Sequence, residues 1–100
     1  MNEIIEKTAC LWSVKASDIY SKSRTAQISE ARDACIYLIK QKLKVSNAKI
    51  GLTMGFRLPS TIVYSLKRTK ERLEAGRPQD ELFKDRLTMA SSRISKWTTN

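Results

Sequence analysis

The sequence contains no histidine. Histidine-based acid–base catalysis, Ser-His and Cys-His nucleophile arrangements, and His-containing zinc sites are therefore excluded. Cysteine is scarce. Cys10 and Cys35 lie far apart in helical patterns, and both are expected to be small buried apolar residues, not a disulfide or a metal pair. Long apolar runs are missing as well. The longest covers residues 34–39, far too short to span a bilayer. Glu3 and Glu6 interrupt the apolar residues near the N-terminus, so no signal peptide is expected. There is no GxxxxGK[ST] segment to cradle a nucleotide, no internal repeat and no low-complexity stretch. The carboxylates are expected singly on charged faces. These absences point to a cytoplasmic protein that is not an enzyme and has no metal, cofactor, nucleotide or membrane partner.

What is present is positive charge. Lys and Arg number 19 against 10 Asp and Glu, a net charge of +9. The surplus is uneven: residues 1–20 sum to −1, residues 21–78 to +9 and residues 79–100 to +1. A basic surplus reads either as a solubility surface or as the footprint of a polyanion partner. Its concentration in the middle of the chain favours nucleic acid.

The same middle section holds the most informative pattern, KVSNAKIGLTMGFRLPSTIVYSLKRTKERL at residues 44–73. Ser46 is placed to cap a short helix whose Ile50 faces the core. Gly51 suits a close approach, and Gly55 suits the left-handed position just past the helix end. Phe56, Arg57 and Leu58 form a tight link. Pro59 then occupies the first turn of a longer helix, where its missing N–H costs nothing. Leu58 is a poor cap, which leaves the first-turn donors to water or a ligand. Ile62, Leu66 and Leu73 form the expected buried face, while Lys67, Arg68, Lys70 and Arg72 line the rest. Short helix, turn containing Gly and longer helix make the outline of a helix-turn-helix. In that unit the second helix enters the major groove and its first residues meet base edges. Ser60, Thr61 and Tyr64 are thus the candidate base contacts.

Around this unit the periodicity predicts further helices. One covers residues 2–14 through Ile5, Ala9 and Trp12, and a cap at Ser17-Asp18 starts one more turn through Ile19 and Tyr20. Trp12 and Tyr20 read as core aromatics. Residues 21–27 form a polar loop carrying Lys22 and Arg24, either a plain solvated connection or a basic arm for a phosphate or minor groove. The strongest helix covers residues 28–43, with Ile28, Ala31, Cys35, Leu38 and Ile39 as its stripe and with Arg32 and Lys40 sharing a face. Gly76 followed by Pro78 ends the longer helix. Residues 80–94 form the last, through Phe83, Leu87, Ala90 and Ile94, and Trp97 continues its stripe. The fold expected is all-α, with five to six helices, as one DNA-binding domain at residues 1–95 and a short tail at 96–100.

The loop SKSR (residues 21–24), the stretch EARDACIYL (residues 30–38) and AKIGLTMGFRLPSTIV (residues 48–63) resemble the C-terminal DNA-binding domain of the bacterial replication initiator DnaA. The resemblance runs from about Ile4 to Ile94 and implies a Trp-repressor/DnaA-like helical fold. It implies that Arg24 enters the minor groove, that Arg32 contacts DNA, and that Lys40 approaches the backbone. Arg57, Ser60 and Thr61 match the family pattern at the start of the recognition helix. Its Asp-His pair, however, is replaced by Leu58-Pro59. The family histidine reads a base, and proline has no donor to do so. Asp33 stands where the family often has Gln, where it would repel phosphate or accept from cytosine.

The function expected is sequence-specific binding of double-stranded DNA by a stand-alone, nucleoid-associated reader, acting as a transcriptional regulator with a second regulator or an RNA polymerase subunit. Ser60, Thr61 and Tyr64 read bases, and Lys22, Arg32, Lys40, Arg57 and Lys67 hold phosphates. Two alternatives stand beside it: a replication accessory competing at initiator-type sites, and a protein-interaction module that has lost DNA specificity and uses Phe56 and Leu58.

Overall fold

A computed structural model describes the backbone of residues 2–98 and the side chains of residues 2–94. The chain forms α1 (Asn2–Leu11), α2 (Ala16–Tyr20), α3 (Ala26–Leu43), α4 (Asn47–Thr53), α5 (Pro59–Ala75), a 3-10 turn (Pro78–Asp80) and α6 (Glu81–Thr98). The fold is all-α, and no strand occurs among the described residues.

Several element ends differ from the sequence reading for local reasons. Helix α1 stops at Leu11, because Ser13 takes a left-handed φ of 56° and the Val14 amide turns back to the Ala9 carbonyl at 3.0 Å. Helix α2 is not capped from Ser17. Lys15 takes the cap position, and its amide donates to the Asp18 carboxylate at 3.0 Å. A carboxylate in the first turn also suits the positive end of the helix dipole. Helix α3 begins at Ala26, two residues before the expected start. Ser46 does cap α4, accepting from the Lys49 amide at 3.2 Å. Helical backbone continues through Thr98, past the helix end expected at residue 94. The packing expected of Trp97 and the end of the tail lie outside the described residues.

Helix α3 is the centre of the molecule and packs against α1, α2, α4, α5 and α6. Ala31, Ala34, Cys35, Ile36, Leu38 and Ile39 are all buried along it, while Ile28 is only half-buried. Trp12, fully buried, stacks edge-on against Phe83 at 5.6 Å between ring centroids. The Arg86 guanidinium lies over the Trp12 ring at 5.7 Å, and that of Arg72 over Phe83 at 4.7 Å. Aromatic and cation–π contacts of this kind add to the area they bury; those of Trp12 join the end of α1 to α6, and that of Arg72 joins α5 to α6. Tyr20 is half-buried against the same core.

Two sequence expectations are corrected here. Cys35 is buried, but Cys10 is exposed. Ile4, Ile5, Thr8, Ala9 and Trp12 define the inner stripe of α1 and its continuation, and Cys10 sits a further 100° round from Ala9. The carboxylates are not all on solvated faces either. Asp33 and Asp80 are buried. Asp80 takes Arg77 at 2.7 Å and Arg72 at 3.5 Å, which closes the 3-10 turn onto α5.

Candidate nucleic-acid interface

Helices α4 and α5 form the helix-turn-helix, and its link is built by backbone packing. Gly55 and Phe56 have φ of 87° and 60°. Two successive left-handed residues reverse the chain within a few residues. The Arg57 amide then donates back to the Gly51 carbonyl at 2.7 Å. A side chain on Gly51 would run into the Arg57 carbonyl, and one on Gly55 would come within 2.6 Å of the Tyr20 carbonyl oxygen. Glycine is therefore required at both places, first to seat the turn on α4 and then to seat it on the end of α2.

Pro59 occupies the first turn of α5, and Leu58 precedes it with no side-chain cap. Pro59 has no amide to satisfy, and the Thr61 and Ile62 amides donate to the Leu58 carbonyl at 3.0 and 3.3 Å. Ile62, Ser65 and Thr69 form the buried face of α5, with Leu66 and Leu73 half-buried beside them. Ser60, Thr61, Tyr64 and Lys67 lie on the exposed face.

The basic loop before α3 is held in place by two arginines. Arg32 donates from Nε to the Ile19 carbonyl at 2.9 Å, from Nη1 to Ser23 at 3.2 Å, and from Nη2 to Ser21 at 2.8 Å and Asp18 at 3.3 Å. Arg57 donates to the carbonyls of Ser21 at 2.6 Å, Tyr20 at 3.5 Å and Met54. Both guanidiniums thus converge on the carbonyl end of α2, where unpaired oxygens and the negative end of the helix dipole attract cations. Burial lowers the pKa of both arginines, and the charge of Arg57 lowers that of Arg32 further. Lys40 acts in the same manner at the α3–α4 link, donating to the Val45 carbonyl at 3.0 Å.

The nine candidate residues therefore divide by environment. Lys22, Arg24, Ser60, Thr61, Tyr64 and Lys67 are exposed, whereas Arg32, Lys40 and Arg57 are half-buried with their head groups on backbone carbonyls. Of the exposed set, Arg24 and Thr61 line one cleft, together with Ala26, Ser29, Glu30 and Asp33 of α3 and Arg68 and Arg72 of α5. The loop and the start of α5 thus share one side of the molecule.

Asp33 is corrected here. It is buried between α3 and α5, at the wall of the cleft that Arg24 and Thr61 line, with its carboxylate already engaged by protein groups. Its carboxylate accepts Ser65 Oγ at 2.6 Å and a two-pronged pair of bonds from Arg68, both 2.9 Å. Hydrogen bonding to Asp33 raises the Arg68 pKa. The sequence reading missed this lock. Its one signal was an acidic residue set among the inward positions Ala31, Ala34 and Cys35.

The pattern of the family described as "Bacterial dnaA protein helix-turn-helix" matches residues 1–69. Among curated relatives, the chromosomal replication initiator protein DnaA of Thermodesulfovibrio yellowstonii is 36% identical over 73 residues, which is 72% of this chain and 17% of that protein. The protein of the same name from Tropheryma whipplei is 40% identical over 75 residues, covering 75% and 16%. That of Clavibacter sepedonicus is 29% identical over 94 residues, covering 94% and 19%. The chain thus spans less than a fifth of the length of these relatives. No helix among the described residues is long and apolar enough to cross a membrane.

Proposed function

The chain belongs to the bacterial DnaA helix-turn-helix family, and from that premise we propose that it binds double-stranded DNA sequence-specifically. The N-terminal end of α5 enters the major groove, presenting Ser60, Thr61 and Tyr64 to base edges. Arg24 on the braced loop follows the adjoining minor groove, while Lys22 and Lys67 meet phosphates. Arg32 and Arg57 hold the loop at the height of α5, and together with Lys40 they add to the positive field. The observation that carries the reading is the cleft shared by Arg24 and Thr61. Two grooves are engaged at once only if loop and helix lie on one side.

The biological role proposed is transcriptional regulation at the nucleoid, in the cytoplasm, with a partner protein, because a single module of this size covers little DNA. Similarity to initiator proteins supports a second reading, an accessory that competes at initiator-type sites.

Selection of bound sequences from random duplex DNA tests the proposal. One enriched motif is expected, with log affinity falling against log salt at a slope of about −3 for roughly three open cations, Lys22, Arg24 and Lys67. Promoter fragments among the targets support regulation, and initiator-type sites support the replication role. No enriched motif, or binding unaffected by both Arg24→Ala and Thr61→Ala, refutes DNA reading.

A further inference from the structure

We propose that two copies of this chain pair through the outer face of α6, running antiparallel about a two-fold axis at Met89, so that Asp85 of each copy meets Arg93 of the other. The inference goes beyond the DNA-binding reading and is tested without DNA.

Four observations support it. First, Leu82 and Met89 of α6 are 58% and 48% exposed. They stand two helical turns apart and so form one row, on a side turned away from the buried Phe83, Leu87, Ala90 and Ile94. Second, Asp85, Thr88, Met89 and Ser92 line one open depression, together with Arg93. The spacing i, i+3, i+4, i+7 is that of the hole on a helix surface that takes a single side chain from a facing helix. Third, Asp85 and Arg93 are exposed, and neither enters an ion pair among the described residues. Each lies one turn from Met89, about 6 Å along the axis. A reversed copy centred on Met89 therefore brings Arg93 level with Asp85 at both ends of the contact, whereas a partner of one charge sign would match only one of the two. Fourth, residues 79–100 sum to +1 against +9 for residues 21–78, so two copies of this basic chain repel least at this end. Duplex DNA does not suit the face, because Glu81 and Asp85 are exposed on it and would meet phosphate. None of the residues placed on DNA lies on α6, so the pairing leaves the basic loop and the start of α5 open.

Sedimentation equilibrium of the full chain without DNA tests the inference, at about 0.15 M salt, where distant charges are screened. One helix against one helix is smaller than a standard interface, so a dissociation constant on the order of 10–100 μM is expected. Asp85→Arg and Arg93→Asp, both at exposed positions, should keep the helical circular dichroism of the parent. Each places like charges opposite one another twice, and each should self-associate about tenfold more weakly. Mixed in equal amounts, the two variants should pair as the parent does, because each supplies the charge that the other lacks. A parent chain that stays monomeric up to about tenfold above that range, a dimer that neither reversal weakens, or a mixture that fails to recover pairing overturns the inference, and the DNA-binding reading stands in each case.

Discussion

The amide of Arg57 donates to the carbonyl of Gly51 at 2.7 Å, and the Arg57 carbonyl fills the space in which a side chain on residue 51 would begin. The angle between α4 and α5 is therefore set by backbone against backbone. Gly51→Ala forces the two apart and is expected to destabilise the fold by about 2 kcal/mol or more, despite alanine's better helix propensity. Gly76 is the internal comparison. It has a φ of 64° but nothing within 4 Å of an added Cβ, so Gly76→Ala costs only the left-handed strain, about 1 kcal/mol. Urea denaturation of both variants checks the ranking.

The arginines of the interface separate by assay. Arg24 is exposed and makes none of the hydrogen bonds or ion pairs seen among the described residues, so Arg24→Ala is expected to weaken DNA binding without shifting Tm. Arg32 serves four carbonyls, and while Ser21 keeps Arg57 and Asp18 keeps the Ser21 hydroxyl, Arg32→Ala takes the side-chain donor from those of Ile19 and Ser23. It should lower stability by roughly 2–3 kcal/mol and free the loop, which hydrogen exchange at residues 21–25 would report. Arg32→Lys should not restore the loop, because one ammonium cannot reproduce the planar fork.

Asp33 and Arg68 form a lock between α3 and α5 with unequal partners. The Asp33 side chain is nearly buried, while that of Arg68 is 57% exposed. Asp33→Ala leaves a guanidinium that water solvates, so its cost is mainly the stranded Ser65 hydroxyl, about 1–2 kcal/mol. Arg68→Ala strands a buried carboxylate and is expected to cost more, roughly 2–4 kcal/mol. A double-mutant cycle in urea should show coupling above about 1 kcal/mol.

The two thiols should differ in chemistry. Cys10 is exposed and Cys35 buried, so a maleimide should label Cys10 in the native protein and Cys35 only on unfolding. Burial pushes the Cys35 thiol from its ordinary 9.0 up to about 12, and it raises the Tyr20 phenol as well. Above pH 9 the unfolded chain loses the thiol proton while the folded chain retains it. Stability is therefore intact below pH 9 and declines as pH rises toward about 12. Denaturation midpoints across this range should fall less steeply in Cys35→Ala.

Much of this molecule is legible along the chain because its cues are local. The helical periods, the Ser46 cap, Pro59 at the first turn of α5 and Gly76 at its end each depend on a few adjacent residues. So do the exposed positions Ser60, Thr61 and Tyr64, which follow from the phase of α5 once Ile62 is inside. The errors arise where a partner is distant in sequence. Asp33 looks like a surface acid until Ser65 and Arg68 are folded against it. Cys10 looks like its buried counterpart until the inner stripe of α1 is fixed by contact with α3 and α6.

By itself, the sequence determined an all-α chain, a basic middle, a helix-turn-helix and an apolar pair in place of the Asp-His of the family it resembles. Only the tertiary structure decided which cations are open and which are spent on backbone. Arg24 and Arg32 read alike as basic residues near a polar loop. Folding turns the Arg32 guanidinium inward onto the carbonyl end of α2 and leaves Arg24 on the cleft beside Thr61. Whether a charge is available to a ligand depends on which carbonyls the fold brings within its reach, and for Arg32 those of Asp18, Ile19 and Ser21 belong to another helix and its end, so no local pattern records them.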